Sequence, residues 1–502
     1  MQNSYWRAAQ LALLGVILLG WGLLSWHLGD QNLWIDEFNT FHMIQGSPQQ
    51  VINNAANDFH PPLYFLILHF WTELAGTSDF SLRWPSIAAS LLCLPLLAVL
   101  ARRLAGSPAT LWSVLLLSLA PAAVEFGRMA RYYSLAMLLG LLSTILLLIA
   151  LKRGTWLNWI AYALSALGLL YTFYPNGILL AGQALIFIWP QRRQAAARRW
   201  LATMTIVGLA FAPWFLSVAA GQSARMSSGI NADLSHSISG LVLGVVSATY
   251  TFSVGESLFP WFPVAWIGLL IVAGLVMISF RRSRRAALQL VVLGLVCIVF
   301  ISLVTAYVAV GTPFLEVSAR GLLALPYFML LLALGLSAIK YVKRTWLVVG
   351  ALALVWAVSL FNLFTRQQYL NPIYITPATE AADYVRAHAD PADLVISDGD
   401  SVFPRYFSTG VNSPRQLDTQ QIDQIQATLN EQPIKRVWLI TLGRDRTRND
   451  VAEHLSEFLQ QDRRLCTTIG FAEQDPIYRQ LKTSLIGREA YAYRLTVQEF
   501  CP

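Results

Sequence analysis

Long apolar runs separated by short polar loops make up most of the chain as far as Phe364. Runs of about 17 to 25 residues recur, and a run of that length crosses the hydrocarbon core of a membrane as a helix. The pattern predicts about eleven membrane-spanning helices. The predicted spans are Ala8–His27, Trp84–Ala101, Pro108–Val124, Tyr132–Leu151, Trp156–Phe173, Gly177–Trp189, Leu201–Ala219, Trp261–Phe280, Ala286–Val308, Gly321–Ile339 and Trp346–Phe364.

Two further apolar stretches, Pro61–Leu74 and Ile238–Val254, do not fit this series of crossings. The first is short for a span, and its Pro-Pro start suits a helix N-terminus. We interpret both as juxtamembrane helices on the outer face of the membrane. The alternative is that one of the eleven spans is false.

The chain changes character from Tyr369 to Pro502, where helix-like and strand-like stretches alternate. Such alternation predicts a small α/β domain. The predicted helices are Ala378–Ala389, Ile422–Leu429 and Val451–Gln460, and the predicted strands are Asp393–Ser397, Arg436–Thr441 and Tyr491–Val497. The fold class is therefore an α-helical polytopic membrane protein, with a transmembrane domain over residues 1–365 and an extracytoplasmic α/β domain over residues 366–502.

Composition supports the membrane assignment, and the distribution of charge indicates which loops face the cytoplasm. The chain is 56% hydrophobic and only 13% charged, about half the charged fraction of a soluble domain. Although the net charge is +8, the basic residues lie in short loops between apolar runs, which marks cytoplasmic loops and argues against a nucleic-acid partner. The clusters are Arg102-Arg103, Lys152-Arg153, Arg192–Arg199, Arg281–Arg285 and Lys340–Arg344. This pattern predicts a cytoplasmic N-terminus and a tail on the opposite side.

An acidic pair, Asp36-Glu37, directly follows the first predicted span, and Asp58 and His60 come shortly after it. The ordinary role of such a pair is to cap a helix or to hold a loop at the interface. An acid held among aromatic side chains is also suited to act as a base. Asp58 and His60 are candidates for a second part of the site or for a metal pair, although one histidine with scattered acids is weak metal evidence.

A second predicted outer loop combines Arg128 and Arg131 with Tyr132 and Tyr133. Interfacial anchoring is the ordinary role of such a loop, because tyrosine is enriched at membrane surfaces. The sharper hypothesis is a phosphate cradle, because the guanidinium fork matches phosphate oxygens. Arg320 either pairs with Glu316, one turn away, or faces the same anion.

The four cysteines divide into two kinds. Cys93 and Cys297 lie inside predicted spans, where apolar packing accounts for them. Cys466 and Cys501 lie in the tail, where an oxidising compartment allows a disulfide. The alternative for this second pair is two unpaired buried thiols.

These motifs resemble those of the GT-C membrane glycosyltransferases. The similar groups are the protein O-mannosyltransferases, the lipid A aminoarabinose transferase and the bacterial lipopolysaccharide galacturonosyltransferase-like proteins (glycosyltransferase family 39). The resemblance rests on the acidic pair, on an Asp-x-His-Pro-Pro-Leu segment and on an Ala-Arg-x-Tyr segment. A fourth segment, Ser318–Leu323, is similar to the family's Ser-Arg-Tyr-Leu-Leu-Pro, with a shifted arginine and no tyrosine. Where many relatives have a histidine, this chain has Phe173. The matching motifs are Asp36-Glu37, Asp58–Leu63 and Ala130–Tyr133.

The resemblance implies a hexosyl- or pentosyltransferase in the bacterial inner membrane. Its donor would be a sugar on polyisoprenyl phosphate, and its acceptor a lipid, glycan or protein. Asp36 would be the general base. No residue is assigned as a metal ligand, and a divalent cation is left open as a cofactor. Substrate-binding residues would be Glu37, Asp58 and His60, and residues for the polyprenyl phosphate would be Arg131, Arg128, Tyr133 and Arg320.

Two other functions fit a polytopic chain with an outer domain. A transporter or flippase of a lipid-linked sugar is expected to show charged residues near mid-bilayer, broken helices and repeated halves. The sequence shows no charge deep in any predicted span and no repeat. A lipid-sensing receptor would account for the tail domain but would give Asp36 and Glu37 no function.

Overall fold

The computed structural model describes most of the chain, and its contacts divide the chain into two compact units. The described residues are 2–58, 60–189, 194–229, 238–308, 317–366, 374, 376–398, 402–407, 414–419, 421–431, 433–443, 449–471 and 494–502. The first unit comprises Met1–Leu28 and Thr40–Tyr369, and the second comprises Gly29–Asn39 and Leu370–Pro502. The second unit therefore contains the acidic pair, on a short segment from the N-terminal part of the chain.

The first unit is helical. Its helices, in chain order and including the one that enters it from the second unit, are α1 Gln2–Ser25, α2 Ile35–Met43, α3 Pro48–Ala56, α4 Leu63–Ala75, α5 Asp79–Leu104, α6 Ser107–Leu119, α7 Pro121–Gly127, α8 Tyr133–Arg153, α9 Trp156–Thr172, α10 Ile178–Gln183, α11 Gln194–Gly229, α12 Ile238–Val254, α13 Pro263–Arg282, α14 Arg284–Val308, α15 Val317–Arg320, α16 Leu325–Leu336 and α17 Val342–Thr365. Two 3-10 segments, Tyr174–Gly177 and Leu322–Ala324, and a π-helical segment, Ala184–Ile188, join some of them.

Length and composition make this unit a multi-pass membrane domain. Within the described residues, six helices are long and apolar enough to cross a bilayer, and the bent pair α6 and α7 would make a seventh span. Five shorter apolar helices accompany them. Each of the eleven predicted spans falls on helical structure, so the predicted helical polytopic architecture is confirmed.

The third predicted span, Pro108–Val124, is broken and not continuous. Helices α6 and α7 meet at an angle of 55°. Ala120 lies between them in an extended conformation, which the following Pro121 favours because its ring disfavours the helical conformation of the preceding residue. The break directs α7 toward the turn at Gly127 and so sets where the arginine-containing loop begins.

Buried polar side chains join the spans around helix α10. Gln183 donates hydrogen bonds to Ser143 and Thr144, at 2.9 and 3.0 Å, and accepts one from Tyr162 at 3.0 Å. The hydroxyl groups of Thr144 and Tyr327 lie 2.6 Å apart. Partners of this kind are needed because an unpaired polar group in an apolar bundle costs free energy. The network fixes how α8, α9, α10 and α16 pack together.

The second unit contains a five-stranded sheet with helices beside it, as predicted for the tail. Its strands are β1 Leu394–Ser397, β2 Arg415–Asp418, β3 Val437–Gly443, β4 Arg464–Phe471 and β5 Arg494–Cys501, and its helices are α18 Ala378–His388, α19 Phe403–Tyr406, α20 Ile422–Glu431 and α21 Asn449–Asp462. The strand order is β2-β1-β3-β5-β4. Strand β1 is parallel to β2 and β3, whereas β5 is antiparallel to both of its neighbours.

Both faces of the sheet are buried, because alternate residues of the central strands supply two apolar cores. Val395 and Trp438 belong to one core, and Ile396 and Leu439 belong to the other. Cys466 and Cys501 form a disulfide between β4 and β5, with their Cα atoms 6.0 Å apart. The disulfide hypothesis for this pair is therefore confirmed.

The predicted orientation can be tested by cysteine labelling, because the four native cysteines are either buried or paired. Cysteines introduced at the exposed positions Asn53 and Gln424 should react with an impermeant reagent on intact cells. A cysteine at the exposed Ala195, in the most basic loop, should react only after the membrane is opened. Labelling of Ala195 together with Asn53 on intact cells would contradict the orientation, which rests on the basic loops being cytoplasmic.

Candidate active site

The acidic pair forms the first turn of helix α2. Glu37 is buried, and its carboxylate accepts a hydrogen bond from the backbone NH of Trp34 at 3.3 Å. Because Glu37 is the third residue of the helix, this bond is one half of a capping box. Asp36 is half-buried beside it. The capping role therefore applies to Glu37, and both acids lie where the helix dipole favours negative charge.

The loop that precedes helix α2 is fastened to the second unit. Asn32 donates from its side-chain amide to the carbonyl of Thr376 at 2.8 Å. The backbone NH of Leu33 donates to the hydroxyl of Tyr406 at 2.7 Å. These bonds account for the membership of residues 29–39 in the second unit. The backbone that leads into the acidic pair is consequently set by residues more than 340 positions away in sequence.

Four side chains of the first unit form a chain of polar contacts, which we call the Arg131 cluster: Thr40, Asp58, His60 and Arg131. The Nδ1 atom of His60 lies 2.7 Å from Oδ2 of Asp58, and its Nε2 atom lies 3.4 Å from Nη2 of Arg131. Arg131 also donates from Nη1 to the hydroxyl of Thr40 at 3.1 Å. The guanidinium is thus held at two of its nitrogen atoms, and Arg131 as a whole is only 4% exposed.

The partners of His60 determine which ring nitrogen carries hydrogen. The carboxylate of Asp58 only accepts hydrogen bonds and the guanidinium of Arg131 only donates them. Both contacts are satisfied when Nδ1 carries the hydrogen and Nε2 is the acceptor. Asp58 therefore orients the imidazole, and the imidazole orients the guanidinium.

The backbone of Arg131 is also fixed. Its carbonyl accepts a hydrogen bond from Ser86 at 3.1 Å, and the Ser86 hydroxyl lies 3.0 Å from that of Tyr64. Close packing at Gly127 supports the same turn, because a Cβ atom added there would lie 2.8 Å from Oγ of Ser90. Ser86 and Tyr64 were not predicted as site residues, since neither lies in a motif.

Aromatic rings enclose the cluster. The guanidinium carbon of Arg131 lies 5.5 Å from the ring centre of Tyr132 and 6.0 Å from that of Tyr133, within the range of cation–π contact. The ring of His60 lies 5.2 Å from that of Tyr132 and stacks at 5.8 Å on Phe173. Phe173, which stands where many relatives have a histidine, therefore packs directly against the cluster as an apolar wall.

The other two predicted phosphate-binding arginines have contacts outside this cluster. Arg128 donates from Nη2 to the carbonyl of Trp26 at 2.7 Å and lies over the ring of Phe364 at 5.1 Å. Arg320 donates to the hydroxyl of Thr305 at the long distance of 3.5 Å. Glu316, the predicted alternative partner of Arg320, lies outside the described residues.

A metal site would need more ligands than this cluster supplies. Asp58 and His60 are the two residues here with suitable ligand atoms. Over the described part of the chain, no group of three or more histidine, cysteine, aspartate or glutamate side chains is placed to hold a metal ion.

The comparisons with known proteins agree with this architecture. Residues 59–216 match the model of the dolichyl-phosphate-mannose-protein mannosyltransferase family, a range that includes His60 and Arg131. The fold is similar to that of ArnT from Cupriavidus metallidurans in the apo state, with a TM-score of 0.55 and 14% identity over 99% of this chain and 98% of that one. ArnT bound to undecaprenyl phosphate gives a TM-score of 0.54 and 14% identity over 98% of each chain.

A weaker likeness is to the archaeal oligosaccharyltransferase AglB from Archaeoglobus fulgidus, with a TM-score of 0.49 and 10% identity over 88% of this chain and 70% of that one. No curated protein matches the chain in sequence. The family model and the shared fold confirm the resemblance to the GT-C membrane glycosyltransferases. The chain has the GT-C fold, with an α/β unit at its C-terminus.

Proposed function

We propose that this protein is a glycosyltransferase that moves a monosaccharide from a polyisoprenyl phosphate to a hydroxyl group of a lipid, glycan or protein acceptor. The observation that carries the proposal is the Arg131 cluster, a buried guanidinium held by Thr40 and His60 in a chain with the GT-C fold. The reaction would take place at the outer face of a bacterial inner membrane, where the predicted topology puts the loops that contain these residues.

Arg131 would bind the phosphate of the donor. A guanidinium presents paired N–H donors that match phosphate oxygens, and positioned charges stabilise a leaving group most when they are held in advance. The contacts with Thr40 and His60 hold Arg131 in this way. The choice of carrier is supported by ArnT, which has the same fold and was solved bound to undecaprenyl phosphate.

Asp36 would accept the proton of the acceptor hydroxyl. It lies in helix α2 four residues before Thr40, and residues at this spacing lie on the same face of a helix. Glu37 is less suited to the task because its carboxylate caps the helix. The acceptor oxygen forms a bond to the anomeric carbon while the bond from that carbon to the phosphate oxygen breaks. Asp36 takes the proton, and polyprenyl phosphate leaves with its negative charge facing Arg131.

The remaining predicted residues would support these two. Asp58 and His60 orient the guanidinium, Tyr133 lies against it, and Arg128 and Arg320 add positive charge for the phosphate. The chemistry is the same for a hexosyl or a pentosyl group, because in both the bond that breaks joins the anomeric carbon to the phosphate oxygen.

The assignment of the base is tested by Asp36→Asn. The amide keeps the size of the side chain but accepts no proton, so turnover should fall by about a hundredfold or more while donor affinity is retained. Glu37→Gln is the matched control, and it should have a smaller effect because an amide oxygen still accepts the capping hydrogen bond. Near-normal turnover of Asp36→Asn would show that Asp36 is not the general base, and Glu37 or Asp58 would become the candidate.

The phosphate assignment is tested by Arg131→Lys and Arg131→Ala. Lysine keeps the charge but loses the paired donors, so donor affinity should fall by about tenfold or more, and alanine should be worse. Arg83→Lys is a matched control, because Arg83 is a buried arginine that donates to a backbone carbonyl, that of Leu28. Equal donor affinity in Arg131→Ala and the unchanged protein would rule the assignment out.

Thr40 should act as a positioning residue, through Arg131. Thr40→Val removes the hydroxyl that accepts from Arg131 and should lower kcat/KM by about tenfold, the usual cost of a hydrogen bond to a charged group. Thr40→Ser restores the hydroxyl and should recover most of the loss, a recovery that a purely steric role would not produce. If valine and serine behave alike, the hydrogen bond does not matter for turnover.

A further inference from the structure

We propose that the protein binds an anionic phospholipid in a groove between the C-terminal ends of helices α5 and α8. The two helices run side by side in the same direction. Ser86 donates a hydrogen bond to the carbonyl of Arg131, which is 45 residues later in the sequence, and Ser90 donates one to Ser134, which is 44 residues later, at 2.9 Å. Because these two sequence separations are nearly equal, the helices keep the same pairing along their lengths. Their C-terminal ends therefore lie together, and α8 extends about one turn beyond the end of α5.

The groove at these ends has a volume of about 500 Å³ and two kinds of wall. Its lining residues are Arg103, Leu104, Leu148, Ile149, Lys152 and Arg153. The three cationic side chains are exposed, whereas the three aliphatic ones are half-buried between the helices. A positively charged rim therefore surrounds an apolar floor.

The cations of the groove, Arg103, Lys152 and Arg153, have no carboxylate partner in the described part of the chain. The carbonyl ends of two helices contribute a charge of about −0.5 each, which three cations exceed. A further cation, Arg199, lies close by, since it donates to the carbonyl of Gly154 at 3.0 Å. An anion is the natural occupant.

The apolar floor and the position in the bundle favour a lipid over a soluble anion. Helices α5 and α8 are each long enough to span a membrane, so their ends lie at its surface. A phosphate group at the rim would contact the cations, and the start of an acyl chain would cover Leu148 and Ile149. Basic pockets between membrane helices on the cytoplasmic side bind anionic headgroups by this combination of contacts.

The test is native mass spectrometry of the delipidated full-length protein with phosphatidylglycerol and with phosphatidylcholine of the same acyl chains. The unchanged protein should retain phosphatidylglycerol in preference to phosphatidylcholine. The variant R103Q/K152Q/R153Q should lose this preference, since each removed cation weakens the attraction about fivefold. The control R281Q/R282Q/R285Q removes the same charge from the adjoining ends of α13 and α14 and should keep the preference.

Two further variants distinguish a lipid site from misfolding and from a site for free phosphate. The exchange variant R103K/K152R/R153K keeps three cations and should retain phosphatidylglycerol, which shows that a loss in the glutamine variant is due to charge and not to a failure to fold. The variant L148S/I149S should weaken phosphatidylglycerol binding without affecting inorganic phosphate. The proposal is overturned if the two triple glutamine variants lose phosphatidylglycerol binding equally. It is also overturned if inorganic phosphate displaces phosphatidylglycerol at a concentration similar to that of the lipid.

Discussion

The candidate site depends on one constraint, that an arginine buried in an apolar helical unit must be held by polar partners. A buried charge without partners is costly, and Arg131 meets this condition through Thr40 on one side and His60 on the other. Asp58 completes the arrangement by fixing the imidazole. The rings of Tyr132 and Phe173 pack against the imidazole of His60, and the ring of Tyr132 also lies within cation–π range of the guanidinium. The position of the guanidinium is therefore defined in the absence of a phosphate.

A second constraint acts on the acidic pair. The loop that leads into helix α2 is hydrogen-bonded to Thr376 and Tyr406, so the tail domain has a structural role for the loop as well as a core of its own. Because the tail positions residues 29–39, its loss would alter the position of Asp36, although Asp36 is far from the tail in sequence.

Elements with a hydropathy pattern that extends over many residues could be predicted from the sequence, whereas features that depend on contacts between distant residues could not. All eleven spans predicted from hydropathy fall on helical structure, but the only local sign of the break at Ala120 is the proline that follows it. In the tail, the central strands β1, β3 and β5 were predicted, whereas the edge strands β2 and β4 were missed. Edge strands bury less of their surface, and β4 is mostly half-buried or exposed, so its apolar alternation is weak. Asp58, His60 and Arg131 were found through their motifs, but Thr40 has its partner 91 positions away and only its spacing from Asp36 as a signal.

The most direct test of the proposed transfer reaction is the release of polyprenyl phosphate. Purified protein would be incubated with a panel of polyprenyl-phosphate sugars and an extract that contains candidate acceptors, and free polyprenyl phosphate would be measured over time beside the Arg131→Ala variant. At least one donor should release polyprenyl phosphate in an acceptor-dependent manner, and the variant should be strongly impaired. Movement of intact lipid-linked sugar across vesicles, with no polyprenyl phosphate released from any donor, would contradict the transfer reaction and favour a transporter.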